Sequence, residues 1–185
     1  ALNGEASLAG GLDGWPGVAG RIDNVELDAS GSLDDWQAEL AGRVDWPEQP
    51  TVDVSLAADG ADDTITISRG DLSLLDGHVR LTGAVDLAEV MAAEAQVGLE
   101  NLDFTALYPD WPAQARVSGG LDATWDGEVL RVADIALRAP PAPLTLTGNA
   151  ALDSTTESLD LSLEWASLVW PPVTDDSEPL FSSES

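Results

Sequence analysis

The chain has 185 residues, of which 44% are hydrophobic and 22% charged, the balance of a folded protein and the wrong one for a disordered chain. That length allows one domain or one section of an elongated array. Thirty-four acidic side chains against seven basic ones, all arginine, leave a formal net charge of -27, which repels phosphate backbones, excludes nucleic acid as a partner and disfavours docking on an anionic lipid surface.

From the first residues a short pattern recurs: apolar, small, Gly, any residue, apolar, Asp. It reads Leu8-Ala9-Gly10-Gly11-Leu12-Asp13, then Val18-Ala19-Gly20-Arg21-Ile22-Asp23, Ala29-Ser30-Gly31-Ser32-Leu33-Asp34 and Leu40-Ala41-Gly42-Arg43-Val44-Asp45. Later copies are Leu81-Thr82-Gly83-Ala84-Val85-Asp86 and Val117-Ser118-Gly119-Gly120-Leu121-Asp122, with a looser one at Leu146-Thr147-Gly148-Asn149-Ala150-Ala151. The period is two, so apolar side chains fall on one face of an extended strand and polar ones on the other. A glycine inside such a pattern marks a bulge, a bend or a close approach of backbone. Its recurrence suggests a sheet bent at a regular position. Units of this kind cannot bury their apolar face alone, which is the signature of stacked repeats.

Residues 1–46 carry four closely spaced copies and predict short strands of four to six residues joined by tight turns. Beyond residue 50 the apolar positions are Val52, Val54 and Leu56, then Ile65 and Ile67, then Leu72 and Leu74, then Val79, Leu81, Val85 and Leu87. Asp62-Asp63 lies in a polar turn, and Asp76-Gly77 reads as a hairpin. Residues 86–96 have helix-forming composition and fit a short helix as well as a strand. Extended structure resumes at 97–102, and Asp126-Gly127 turns 121–125 into 129–137. The last alternating pair contains Leu144 and Leu146, then Leu159, Leu161 and Leu163. The sixteen apolar residues named in this paragraph are the candidate groove-lining set. Residues 1–172 thus form one β-repeat segment of roughly twelve strands, followed by an acidic, Ser-rich tail or linker at 173–185. So many strands in one sheet must curl, fold over or close. The pattern is already under way at Ala1, so the chain is expected to be part of something longer, with any targeting or anchoring segment outside it.

Four of the seven tryptophans precede proline, at Trp15-Pro16, Trp46-Pro47, Trp111-Pro112 and Trp170-Pro171. Such pairs belong at strand ends or edges, as aromatic caps on a core rim or as the lining of an apolar passage. Catalytic chemistry has little to work with. There is no Cys or Lys, and the one histidine, His78, sits at a polar strand position beside a turn. Most nucleophile–base and zinc arrangements cannot be assembled from that set, and no enzyme activity, cofactor or metal is expected. Asp34-Asp35, Asp62-Asp63 and Asp175-Asp176 could attract calcium, but none has the spacing of a known calcium loop.

Two phrases resemble a known family. Asn101-Leu102-Asp103-Phe104-Thr105-Ala106-Leu107-Tyr108-Pro109-Asp110-Trp111-Pro112, followed by Val117-Ser118-Gly119-Gly120-Leu121, resembles a unit of the TamB (translocation and assembly module subunit) family and its AsmA-like relatives. Leu163-Glu164-Trp165-Ala166-Ser167-Leu168-Val169-Trp170-Pro171 is similar to a second, with Ser167 where a polar Asn or Asp is usual. The resemblance covers 100–172 well and 1–99 through the repeat alone. It implies an all-β, elongated repetitive sheet folded over into a taco-like, U-shaped groove with an apolar interior. It also implies a periplasmic protein anchored in the inner membrane that works with an outer-membrane Omp85-type partner, TamA. The family's implied roles are phospholipid transport between the membranes and assembly of outer-membrane protein clients.

The residues agree in kind. An aliphatic wall suits phospholipid acyl chains, which slide on dispersion contacts without directional bonds, and an acidic exterior discourages sticking to anionic headgroups. The same alternation also describes a sandwich with a dry core, as in a structural adhesin or autotransporter stalk. Trough and closed core both remain open on sequence.

Overall fold

The computed structural model describes residues 2–11, 21–32, 34–45, 50–88, 90–112, 114–142, 144–166, 168–170 and 181–183. Alternating sequence becomes strand throughout: β1 (Leu2–Gly11), β2 (Arg21–Gly31), β3 (Asp35–Asp45), β4 (Val52–Ala61), β5 (Thr64–Leu74), β6 (Gly77–Asp86), β7 (Ala92–Leu102), β8 (Val117–Trp125), β9 (Val129–Arg138), β10 (Thr145–Asp153) and β11 (Ser158–Ala166). These eleven form one antiparallel sheet in sequence order, and each pairs only with its chain neighbours. The sheet does not close, and β1 and β11 are its edges. β12 (Leu168–Trp170) and β13 (Phe181–Ser183) form a separate two-stranded pair, so part of the expected period-free tail folds back as strand.

Several expectations need correction. The strands of the first 46 residues are ten or eleven residues long, not four to six. Gly42 therefore lies inside β3, whereas Gly10 and Gly31 fall at the ends of β1 and β2 and Gly20 lies outside the described residues. Of the two readings left open for 86–96, the strand holds from Ala92, where β7 starts, because the alternation of 93–99 pairs with β6 and tertiary pairing outweighs local propensity. The β5–β6 turn is centred on Leu75-Asp76, with φ of 52° and 55°, and Gly77 is already paired with Leu74. Leucine tolerates that backbone because its side chain is buried in the core described below.

The repeated glycines are not themselves the bulged residues. The bulges lie in β2, β5, β7 and β9, and three of them hold Asn24, Asn101 or Asp134 at a φ near 50°. Short Asx side chains reach that backbone at little cost. In β5 the extra residue is Ser68, whose hydroxyl donates to the Ala57 carbonyl at 3.2 Å. Glycines sit across from these bulges. Gly42 faces the β2 bulge, and a Cβ there would collide with Val25; Gly148 pairs with Ile135 beside the β9 bulge. Each bulge also resets the alternation. In β5 the apolar positions run 65 and 67, then 70, 72 and 74, all on one face.

Candidate functional site

Cross-strand pairing assembles the apolar positions into rows. One row runs Gly42, Val54, Leu72, Val79, Leu99, Gly119, Leu137, Leu146 and Trp165 without a polar residue. A parallel row contains Leu40, Leu56, Gly70, Leu81, Val97 and Leu121, and continues through Ile135, Gly148 and Leu163. Ile67 and Leu161 belong to a third row, and Ile65, Val85 and Leu159 to a fourth. Val52 pairs with Val44 at the strand ends. Fourteen of the sixteen candidates therefore share one face.

The other two do not join the rows. Leu87 lies past the end of β6 and is 50% exposed. Leu144 precedes β10 and packs with Leu74 and Val79 against a small core at one end of the face. Sequence reading missed Val97, Leu99, Leu121, Ile135 and Leu137, which complete the rows. Their signal was present in the alternation of 93–99, but the parity switch at Asp134 hid the continuity of β9.

That small core is the one tightly packed region among the described residues. Leu75, Leu102, Trp111, Ala115, Val117, Ala139 and Ala142 are buried there. The β7–β8 connection supplies Trp111, whose indole Nε1 donates to the Ala115 carbonyl at 2.7 Å, and Phe104 packs on its ring at 5.4 Å between centroids. Trp111-Pro112 is thus a buried anchor in a loop, not a strand end; Trp15-Pro16, Trp46-Pro47 and Pro171 lie outside the described residues. Asp103 accepts from the Thr105 amide at 2.9 Å and is ion-paired with Arg116. Burial pushes the Asp103 carboxyl up, but the bonds from Thr105 and Arg116 outweigh it and hold the group below the usual carboxylate range.

Elsewhere the face is uncovered. Leu159, Leu161 and Leu152 are 63%, 58% and 44% exposed, Leu27 is exposed as well, and most other large side chains of the face are half-buried. The opposite face is polar and carries exposed ion pairs, among them Arg43 with Asp53 at 2.7 Å and Arg80 with Glu100 at 2.5 Å. His78 is exposed on that side, its Nδ1 3.1 Å from the Ser73 hydroxyl. Asp62-Asp63 forms the β4–β5 turn and Asp34-Asp35 the entry to β3, while Asp175-Asp176 lies outside the described residues. Among the described residues no three His, Asp or Glu side chains converge as a metal site. What the molecule offers is an apolar wall.

The model of the family described as TamB, N-terminal domain, matches residues 14–133. This chain belongs to the TamB family. The match takes in the bulged sheet from the β1–β2 connection to mid-β9, including the phrase at 101–121, and ends before the Trp170-Pro171 phrase. It also covers 14–99, where the resemblance rested on the repeat alone. TamB-family proteins are envelope-associated, periplasmic components of an outer-membrane transport and assembly module, and are not known as enzymes. No solved structure matches the chain.

Proposed function

We propose that the apolar face is one wall of a hydrophobic groove along which phospholipid acyl chains pass between the inner and outer membranes. In this reading the chain is a segment of a periplasmic protein anchored in the inner membrane by a part of the protein outside this segment, and TamA is engaged through other parts as well. The observation that carries it is the continuous apolar face, nine strands wide from β3 to β11 in a single row, over which, among the described residues, only the Trp111 core packs, at Leu74, Val79 and Leu99. Soluble proteins rarely leave so much contiguous apolar surface unoccupied. An acyl chain laid on it gains about 0.8 kcal/mol per buried CH2 and needs no directional bond. A stalk would instead place these side chains in a dry core, and the exposure of Leu159 and Leu161 favours the groove.

β11 supports a second reading, assembly of outer-membrane protein clients. It is nine residues long, has no proline or lysine, and pairs on one side only. An extended client strand could add to that edge by main-chain hydrogen bonds.

The groove is tested by native mass spectrometry of the chain after incubation with phospholipid, alongside the Leu81→Asp, Leu146→Asp double variant. Lipid bound by the parent and lost from a still-folded variant supports the groove. A folded parent that binds none sinks it, and the client reading then leads.

A further inference from the structure

The two rims of the apolar face differ in chemistry, and this follows from the meander alone. Connections after even-numbered strands all emerge at one end of the sheet, and those after odd-numbered strands at the other. The odd-strand end holds the Trp111 core, with the long β7–β8 connection packed over Leu74, Val79 and Leu99 of the apolar face. From β5 to β10 that rim is covered. The even-strand end has short turns and, among the described residues, no such cover. Its residues include Asp34, Asp62, Asp63, Asp86, Glu128 and Glu157. The arginine nearest to it, Arg131, is held by Asp126 at 2.5 Å, and together with the Val129 and Glu128 amides it keeps that carboxyl at about 2. Arg43, Arg80 and Arg116 lie toward the covered end and are held by Asp53, Glu100 and Asp103. The open rim also exposes Val90 at 63% and Met91 at 53%, so apolar side chains stand beside the carboxylates.

Resting on the groove reading above, we infer that the apolar face takes lipids whose headgroups are zwitterionic and amine-bearing, and rejects anionic ones. Acyl chains on the face are blocked at the covered rim, so the headgroup lies at the open one. There a headgroup with net negative charge meets a row of carboxylates in a medium of low dielectric on one side, and like-charge juxtaposition is costly. A headgroup with a terminal ammonium places its positive end toward those carboxylates. The apolar face supplies the affinity, and the turns supply the selection.

The test uses the 185-residue chain with vesicles of phosphatidylethanolamine and phosphatidylcholine or of phosphatidylglycerol, matched in acyl chains, with bound lipid read by native mass spectrometry. The zwitterionic lipids should be taken up at least about tenfold more than the anionic one at low salt. The preference should shrink in about 1 M salt, where the Debye length is about 3 Å. In the Asp62→Asn, Asp63→Asn, Glu128→Gln, Glu157→Gln variant, uptake of phosphatidylglycerol should rise. These four side chains make no hydrogen bond or ion pair that holds a turn together, and circular dichroism of the variant should show that the sheet persists. Equal uptake of both classes at low salt, or a preference unchanged in the variant, overturns the selection while leaving the groove intact. Uptake of neither lipid overturns the groove reading itself.

Discussion

Gly148 of β10 lies so close to Ser162 of β11 that a Cβ on the glycine would strike the Ser162 carbonyl oxygen, and its φ is +157°. A side chain there must push two paired strands apart. Gly148→Ala should therefore lower stability by about 1–3 kcal/mol, the usual cost of overpacking. Gly98 is the control, since the nearest atom to its Cβ would be the Arg80 Cβ at 4.0 Å. Gly98→Ala should leave stability unchanged or raise it by about 0.4–1 kcal/mol by restricting the unfolded chain. Urea midpoints of the two variants check both signs.

The Trp111 core should open as a unit without dissolving the sheet. Its loop is held to the strands by the indole, the Asp103–Arg116 pair and a bond from the Asp103 amide to the Leu75 carbonyl at 2.7 Å. Trp111→Ala should cost about 3–5 kcal/mol, and Trp111→Phe, which keeps a ring but loses the bond to Ala115, nearer to 1 kcal/mol. Hydrogen exchange should show protection lost across 102–117 and retained in β3 and β4. Uniform loss across the sheet would show that the core holds the whole fold together.

Acid should destabilise the chain within a defined window. Asp53, Asp103, Asp126 and Asp153 are all held below the ordinary carboxylate range: Asp53 chiefly by Arg43, Asp126 chiefly by Arg131, Asp153 chiefly by the Thr156 amide, and Asp103 by bonds that outweigh its burial. A depressed carboxylate contributes stability that is complete above its unfolded value, about 3.9. That contribution is lost as pH falls through the folded value, because the unfolded chain then binds more protons. Unfolding midpoints should fall between about pH 4 and the Asp126 value of about 2. Asp126→Asn should make the slope in that window shallower. An equal slope would remove Asp126 from the account.

Much of this architecture was legible in the sequence. Alternation in Val52–Leu56, Leu144–Leu152 and Leu159–Trp165 gave strands and the shared face directly, because a period of two admits one reading when a face is apolar. Bulges were harder to read. The glycines drew attention as the irregular positions, whereas Asn24, Asn101 and Asp134 carry the extra residue and glycine provides room across the ladder. The readable signal was the parity switch, as between Val132 and Ile135. The Trp111 core was hidden for a different reason. It joins residues from three connections, from Leu75 to Ala142, and alternation carries no information about how loops pack. The rim asymmetry was within reach, since it needs only strand order and the residues of each turn.

The central claim is that cargo lies on one face of this sheet, and neighbouring residues of β7 test it most directly. Val97 belongs to the apolar rows, and Gln96, one residue earlier, is exposed on the polar face between Thr82 and Asp122. A photo-crosslinking side chain placed singly at each position, in cells making the full-length protein, should capture phospholipid at 97 and none at 96. Equal labelling at both positions, or lipid at 96 alone, would contradict an apolar groove on this face.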